Sequence, residues 1–482
     1  MWSTSAPNPT RSLSCSLALT TLLGACAAGP DFVRPQPPTA THYDPNTEPA
    51  QVELVDSAPQ DWWRSFQSDA VDHLVDEALH HNPSVAVTEA TLRESEAERR
   101  AGAGIFYPSV ALGAGAQRQL STPQKLGLGG TGSIFNLYTL GATVAYNVDL
   151  FGANRRTVEV LGAGVDEARY RRDTARLALA GNVVGTVVAH AAYEEQITIT
   201  ERMAADEQQQ LALVTAQVDA GVLAESAALA TRNQLDITRA ALPLLKAKEA
   251  ASRHLLATLI GQAPAEANSE WPCWADLHLP THLPLTLPST LVRQRPDILA
   301  AEAALHGATA NIGVAAANLF PSVTLGATGG WVSSKANKLG AANGRYWSVG
   351  PSIEFPLFAG GADLARRDSA IAARDAALAN YRQTILAVFD QVADVLSDVQ
   401  YNTEAAAART DALHANEQNL ALSEATHAAG TLSEYDYLTT RIALDGARLA
   451  AIDADAQRLQ DAVALYAALG GGWDDKSQEA AQ

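Results

Sequence analysis

The chain contains itself twice, and this duplication constrains the fold more than any other feature. Pro83 and Pro108 lie 25 residues apart, as do Pro296 and Pro321. The segment Phe106-Tyr107-Pro108-Ser109-Val110-Ala111-Leu112-Gly113-Ala114 returns as Leu319-Phe320-Pro321-Ser322-Val323-Thr324-Leu325-Gly326-Ala327. Downstream, Ala220-Gly221 matches Ala429-Gly430, Leu235-Asp236 matches Leu444-Asp445, and Leu259-Ile260-Gly261 matches Ala468-Leu469-Gly470, all at an offset of 209 residues. Two copies are too few for a solenoid, so a pseudo-symmetric unit that oligomerises is the better reading. Each copy reads helix, strand, turn, strand, long helix, short break, long helix. The first spans 67–261 with its β-hairpin at 108–150, and the second spans 290–470 with its hairpin at 321–358. A Pro-rich linker at 262–289 carries Trp271 and Trp274 and is expected to pack on the body, and 471–482 forms a tail.

The strands alternate. Tyr138, Leu140, Ala142, Val144, Tyr146, Val148 and Leu150 interleave with Thr139, Gly141, Thr143, Ala145, Asn147 and Asp149. In the second copy Trp347, Val349, Pro351, Ile353, Phe355 and Leu357 interleave with Tyr346, Ser348, Gly350, Ser352, Glu354 and Pro356. Such segments suit strands with lipid on one face and water on the other, although each is a weak signal and also fits a soluble sandwich. With the strands near Ser109–Gln117 and Ser322–Trp331, one chain offers four. Membrane barrels start at about eight strands, because an open edge in lipid leaves backbone groups unpaired. A barrel therefore needs several chains, in a number that the strands do not choose.

The helices are long. Between Gly361 and Gly430 there is neither Pro nor Gly, a stretch of about 100 Å at 1.5 Å per residue. Leu364, Ile371, Leu378, Ile385, Val392 and Val399 recur every seven residues, joined by Val388 and Val395, and predict a coiled-coil seam. Past Gly430, Ile442, Leu449, Ala456 and Val463 repeat that spacing, with Ile452, Leu459 and Tyr466 beside them. The first copy is less regular, with Gly162, Gly164, Gly181 and Gly185 outgoing and Pro243 returning.

The N-terminus predicts export. Arg11 precedes an apolar stretch, Leu13–Ala25, that suits a signal-peptide core and is too short to span a bilayer. It ends in Leu23-Gly24-Ala25-Cys26, which resembles the lipobox of bacterial lipoproteins. The expected division is a leader at 1–25 and a tether at 26–66 that begins with lipidated Cys26. Cleavage would also remove Cys15 and leave Cys273 alone, so no intrachain disulfide is expected. The formal charge of −19 becomes −20 without Arg11, which disfavours nucleic acid as a partner.

Motifs for chemistry are missing. His80 and His81 are adjacent, whereas a zinc pair prefers i, i+4 spacing. Cys273, in Pro272-Cys273-Trp274, is read as a packing residue rather than a reactive one. Two Met residues argue against a thioether route for copper or silver. No metal, no cofactor beyond a covalent lipid and no enzymatic activity are expected, and no phosphate-binding loop is present.

Several motifs together carry a family resemblance. Asp61-Trp62-Trp63-Arg64-Ser65-Phe66, then Leu74-Val75-Asp76-Glu77-Ala78-Leu79 and Asn82-Pro83, resembles the opening of TolC-like outer membrane efflux proteins. Gly29-Pro30-Asp31-Phe32-Val33-Arg34-Pro35 resembles the tether of their lipoprotein branch. Arg295-Pro296-Asp297-Ile298 resembles the start of their second repeat, and Pro356-Leu357-Phe358-Ala359-Gly360-Gly361 and Val148-Asp149-Leu150-Phe151-Gly152 resemble matching corners. The resemblance implies a mixed α and β membrane protein. Three chains would form a twelve-stranded β-barrel in the outer membrane, continued into the periplasm by a coiled-coil α-helical barrel with a mixed belt. It implies a homotrimer working with a periplasmic adaptor and an inner-membrane pump, often proton-driven, to conduct drugs and toxic compounds outward. It also places acidic gate residues at the tip Gly430–Leu438. Asp436 fits the first acidic position, Thr439 stands where many relatives have a second acid, and Glu434, Tyr435, Tyr437 and Glu225 are the neighbouring candidates. The competing readings are a lipid-anchored periplasmic coiled-coil scaffold, an exit duct for protein secretion and, for the tip, a solvated turn. Cys26→Ser is expected to abolish acylation and lipoprotein-type cleavage. Mass spectrometry of the mature N-terminus tests this, and a lipid-free terminus at another residue in the wild type contradicts it.

Overall fold

The computed structural model describes residues 27–40, 42–44, 52–55, 57–122, 127, 130–266 and 271–471. Cys26, the leader and most of the tail lie outside the described residues. In chain order the elements are β1 (Val52–Leu54), α1 (Asp69–His81), α2 (Pro83–Gly102), β2 (Ser109–Ser121), β3 (Ser133–Val148), α3 (Ala153–Asp219) and α4 (Glu225–Leu259). There follow β4 (Leu283–Leu285), α5 (Pro288–Gln294), α6 (Pro296–Ala317), β5 (Ser322–Ser333), β6 (Arg345–Glu354), α7 (Ala362–Ala428) and α8 (Glu434–Ala468). The duplication holds to the residue: α3 and α7 have 67 residues each, α4 and α8 have 35 each, and every matching end is displaced by 209. Both outgoing helices stop the same way. Gly221 (φ +73°) and Gly430 (φ +76°) take the left-handed conformation, and the next amide reaches back to Gln217 or Thr426, the bond of a Schellman turn.

The described residues fall into two compact units, and each draws matching pieces from both copies. One lies within Met1–Arg34, Arg93–Glu167 and Ala301–Tyr381, and the other within Pro35–Leu92, Ala168–Ala300 and Arg382–Gln482. The first unit holds an antiparallel sheet in the order β2-β3-β5-β6. Its register carries one apolar row straight across: Val110 faces Val144, Val144 faces Ala327, and Ala327 faces Val349. A neighbouring row of the other face is small and polar, with Ala111, Thr143, Thr328 and Ser348 aligned. The apolar face is bare in the single chain: Leu112 is 79% exposed, Trp347 75% and Ile353 68%.

Two glycines let β3 and β5 approach. A Cβ on Gly330 would meet the Leu140 carbonyl and the Gly141 backbone, and one on Gly141 would fall 2.7 Å from the Tyr346 hydroxyl. The tether residues settle on the same unit. Asp31 pairs with buried Arg156, Phe32 stacks on His306 at 4.5 Å, and Arg34 pairs with Glu302 at 2.6 Å. Asp149 explains its corner motif, because its carboxylate accepts hydrogen bonds from the amides of Asn154 and Arg155, both at 3.0 Å, and so caps α3.

The second unit is helical, with a core of Ala192, Ile199 and Ile452 that Trp274, Leu449 and Ala456 cover. Trp62, on a short turn at Trp62–Phe66, stacks on Tyr466 at 5.3 Å. Three expectations change. First, β1 and β4 pair in parallel, joining tether to linker where no strand was expected, since three-residue strands leave no alternation to read. Second, Cys273 is exposed and starts a turn in which its amide donates to the Asp276 carboxylate, while Pro272 and Trp274 do the packing. Third, the α7 seam is buried within the chain only from Ile385 onward, through Val388, Val392, Val395 and Val399, while Leu364 stays 52% exposed. Helices α3 and α6 are long and apolar enough to cross a membrane, but half of each apolar window is buried in protein.

Gly330→Leu is expected to push β5 off β3 at a cost of about 1–3 kcal/mol. Gly350→Ala, whose Cβ meets nothing within 4 Å, is expected to be silent. Thermal melting of both variants in detergent checks the contrast, and equal melting temperatures contradict it.

Candidate functional site

The ends of the two helical hairpins, 220–224 and 429–433, occupy matching places in the duplication, yet their side chains differ. In the second copy Ser433 caps α8. Its hydroxyl accepts the Asp436 amide at 3.1 Å and donates to the Asp436 carboxylate at 2.6 Å. Ser433 and Asp436 thus hold the first turn closed, an S-x-x-D variant of the capping box. Glu434 pairs with His427 at 3.0 Å, and His427 stacks flat on Tyr437, with centroids 4.9 Å apart. The Arg441 guanidinium lies 5.7 Å from the centroid of the same Tyr437 ring. Arg441 then reaches Asp206 on α3 at 3.0 Å. Contacts therefore run without a break from the exposed tip to a buried carboxylate on the other hairpin.

Beside this line, Gln210 on α3 donates to the Tyr435 carbonyl at 3.2 Å and to Thr439 at 2.7 Å. Thr439, standing where a second acid was looked for, serves as the acceptor that joins α8 to α3. One turn further, Asp445 is buried between Arg448 at 3.1 Å and Arg202 at 3.6 Å. Burial raises the Asp206 carboxyl above the ordinary range, Arg441 opposes the rise, Asp445 adds to it, and Arg202 opposes it again.

The first tip has none of this. Its capping position is Ala224, which offers no side-chain bond, and Glu225 is exposed at the start of α4. The positions matching His427, Asp436 and Tyr437 are Val218, Ala227 and Ala228. Leu229 is 59% exposed, whereas its counterpart Leu438 is fully buried, and Val222 is 72% exposed. The structure thus brings Glu434, Tyr435, Asp436 and Tyr437 together and leaves Glu225 on the other tip. His80 and His81 sit exposed at the end of α1, each with Nδ1 on a carbonyl four residues back.

The duplicated hairpins and the four-stranded sheet have a counterpart among known proteins. The outer membrane efflux protein family matches residues 74–262 and again 287–471. The chain belongs to the outer membrane efflux protein family. The toluene efflux pump outer membrane protein TtgC of Pseudomonas putida is 30% identical over 475 residues, covering 97% of each chain. Outer membrane protein OprJ of Pseudomonas aeruginosa is 31% identical over 473 residues, covering 95% of this chain and 96% of its own. The solved structure of the outer-membrane channel OprN superposes with a TM-score of 0.81 at 30% identity, over 93% of this chain and 100% of that one. This family member is an outer-membrane protein of mixed α and β class, as its motifs implied, and its role is that of an efflux channel.

Sequence reading missed Arg441, Asp206, Arg202 and Gln210. One signal was present: Arg232-x-x-x-Asp236 returns as Arg441-x-x-x-Asp445, a charged pair kept on one helix face in both copies. Arg441→Ala strips Asp206 of its partner. Arg441 is 34% exposed, so the loss is put at roughly 1–3 kcal/mol, below that of a fully buried pair. The pH dependence has a definite sign. A carboxyl raised by folding costs stability when ionised, and that cost shrinks as pH falls from its folded value and is gone below its unfolded one. Losing Arg441 raises Asp206 further, so the variant's deficit in melting temperature is expected to be largest at neutral pH and to shrink in acid. Equal drops at neutral and acid pH contradict this.

Proposed function

We propose that three copies of this chain close one duct, a twelve-stranded barrel continued by a helical one. Small toxic or drug-like molecules leave through it after delivery by an inner-membrane pump and a periplasmic adaptor. The observation that carries the reading is the sheet: four strands, an apolar face left exposed above all on β2 and β6, and β2 and β6 each paired on one side only. In lipid those two edges need strands from other copies. Cys26, acylated, adds a lipid anchor beside the barrel, and no cofactor is required. The chain performs no chemistry of its own, and the pump, proton-driven, supplies the energy. The adaptor has exposed apolar side chains to meet at the first tip, Val222, Leu223 and Leu229.

The gate is assigned to the second tip. Around a threefold axis, three Asp436 carboxylates repel one another unless bonds or cations hold them. Within the chain Ser433 supplies one such bond. A cation-selective pore that rests mostly closed follows, as acidic rings produce elsewhere. Asp436→Ala is expected to raise resting conductance severalfold and to weaken block by divalent cations, and Asp436→Asn to stay nearer the wild type. Single-channel recording with and without a divalent cation decides it. Identical conductance and block in all three return Asp436 to a turn-capping role and move the constriction to Glu434 or Glu225. Failure of the wild type to conduct at all contradicts the duct itself.

A further inference from the structure

The most unusual side-chain cluster lies away from the tips, in the middle of the first helical hairpin. His190 on α3 is 1% exposed, and Glu194 follows it by one turn. Glu249 and Ser252 face it from α4, and the edge of Trp271 closes one side at 6.2 Å between ring centroids. The hydrogen bonds define which nitrogen is available. Ser252 spends its single hydroxyl proton on the Glu249 carbonyl at 2.7 Å, so toward His190 it accepts. His190 Nδ1, 3.2 Å away, is therefore the protonated nitrogen, and Nε2 of the neutral ring keeps its lone pair. That Nε2 is buried and has no hydrogen-bond partner.

Glu194 Oε1 stands 3.8 Å from Nε2. This gap is too long for a hydrogen bond, which spans about 2.7–3.2 Å. It suits a cation held about 2.0–2.2 Å from each atom. Glu249 Oε1 lies 3.8 Å from Nδ1, and one ligand atom from each of the three residues fits within 4.8 Å of the others. Arg253 holds the Glu249 carboxylate from outside at 3.3 Å. Glu194 is half exposed, which leaves an approach from solvent, while Glu249 is 20% exposed.

We propose that His190, Glu194 and Glu249 form a binding site for a divalent transition-metal ion, with Zn²⁺ the best fit, that staples α3 to α4. One imidazole and two carboxylates make a borderline donor set that zinc accepts, with water as the fourth ligand. Ser252 acts as the outer partner that fixes the ligating tautomer, as metal-bound histidines generally require. The i, i+4 spacing of His190 and Glu194 is the pattern that the adjacent His80 and His81 lack.

The test is zinc titration of the full-length, tag-free protein in detergent after chelator treatment, by calorimetry and thermal melting. One Zn²⁺ per chain is expected to bind and to raise the melting temperature. Glu194→Gln, at a half-exposed position, keeps the fold and is expected to weaken binding at least tenfold. Ser252→Ala is expected to weaken it by about 10–100-fold through the tautomer. His190→Gln abolishes it. Zinc-edge absorption of the loaded protein should report one nitrogen and several oxygen ligands. No binding by the wild type, or unchanged affinity in both Glu194→Gln and His190→Gln, overturns the site and leaves a buried histidine that only packs between α3 and α4.

Discussion

An unpaired backbone amide or carbonyl in hydrocarbon costs several kcal/mol. The rest of this architecture depends on how the chain meets that cost. Four strands lie in one sheet with matching apolar rows, and only β3 and β5 have neighbours on both sides. The outer strands β2 and β6 are the ones whose residues are exposed along nearly their whole length. A soluble sheet of this kind would be an aggregation hazard, with long edges whose apolar rows carry charge only at Arg118 and Arg345. In a ring of chains the same edges become joints. Duplication within the chain supplies two hairpins per copy, and oligomerisation supplies the closure that the chain alone cannot.

The duplication is stricter in the backbone than in the chemistry. Helix lengths and turn types agree to the residue, because the spacing between turns sets where every later contact falls. Side chains have diverged where the copies face different neighbours. Asp445 is buried beside Arg202, whereas Asp236, its match, is exposed. Leu438 and Leu229 differ in the same way. An equal frame with unequal surfaces is what an alternating ring needs, since a hairpin of one copy meets both its own partner and the next chain.

Much of this was legible from the residues. The offset of 209, the period-2 strands and the Pro- and Gly-free run of α7 each state a geometric rule directly, and the structure keeps all three. The apolar faces of β3 and β6 could be assigned because a one-residue slip would reverse them. The contacts that tie α8 to α3 were not legible, since Asp206 and Arg441 stand 235 positions apart and the repeated Arg-x-x-x-Asp pattern that holds Arg441 does not point to Asp206. Cys273 departs from its expected place for a related reason: between two bulky neighbours, packing falls to the side chains that the turn points inward, and those are Pro272, buried, and Trp274, half-buried. His190 escaped notice because its partners come from two helices and only Glu194 is near in sequence.

The helical unit also carries polar groups where packing alone would favour leucine. Asp206, Glu207, Asp445 and Asp461 are all nearly inaccessible, and Asp461 is raised by burial while Asn402 and Gln457 bond to it. Replacing such groups by apolar ones often leaves stability unchanged or higher, so they are poor glue. Their value lies in register. Long alanine-rich helices can slide by a turn with little change in contact, because small side chains make many registers nearly equal. A buried carboxylate abolishes that freedom, since every slipped register leaves it without Arg441, Thr238 or Asn402. The pair of Asp206 with Arg441 fixes α8 against α3 at one height, and that of Asp461 with Asn402 fixes α8 against α7, and so they fix where the tip carrying Asp436 ends. If the proposed gate lies at the end of this hairpin of 67 and 35 residues, it depends on that indexing as well as on the residues at the tip.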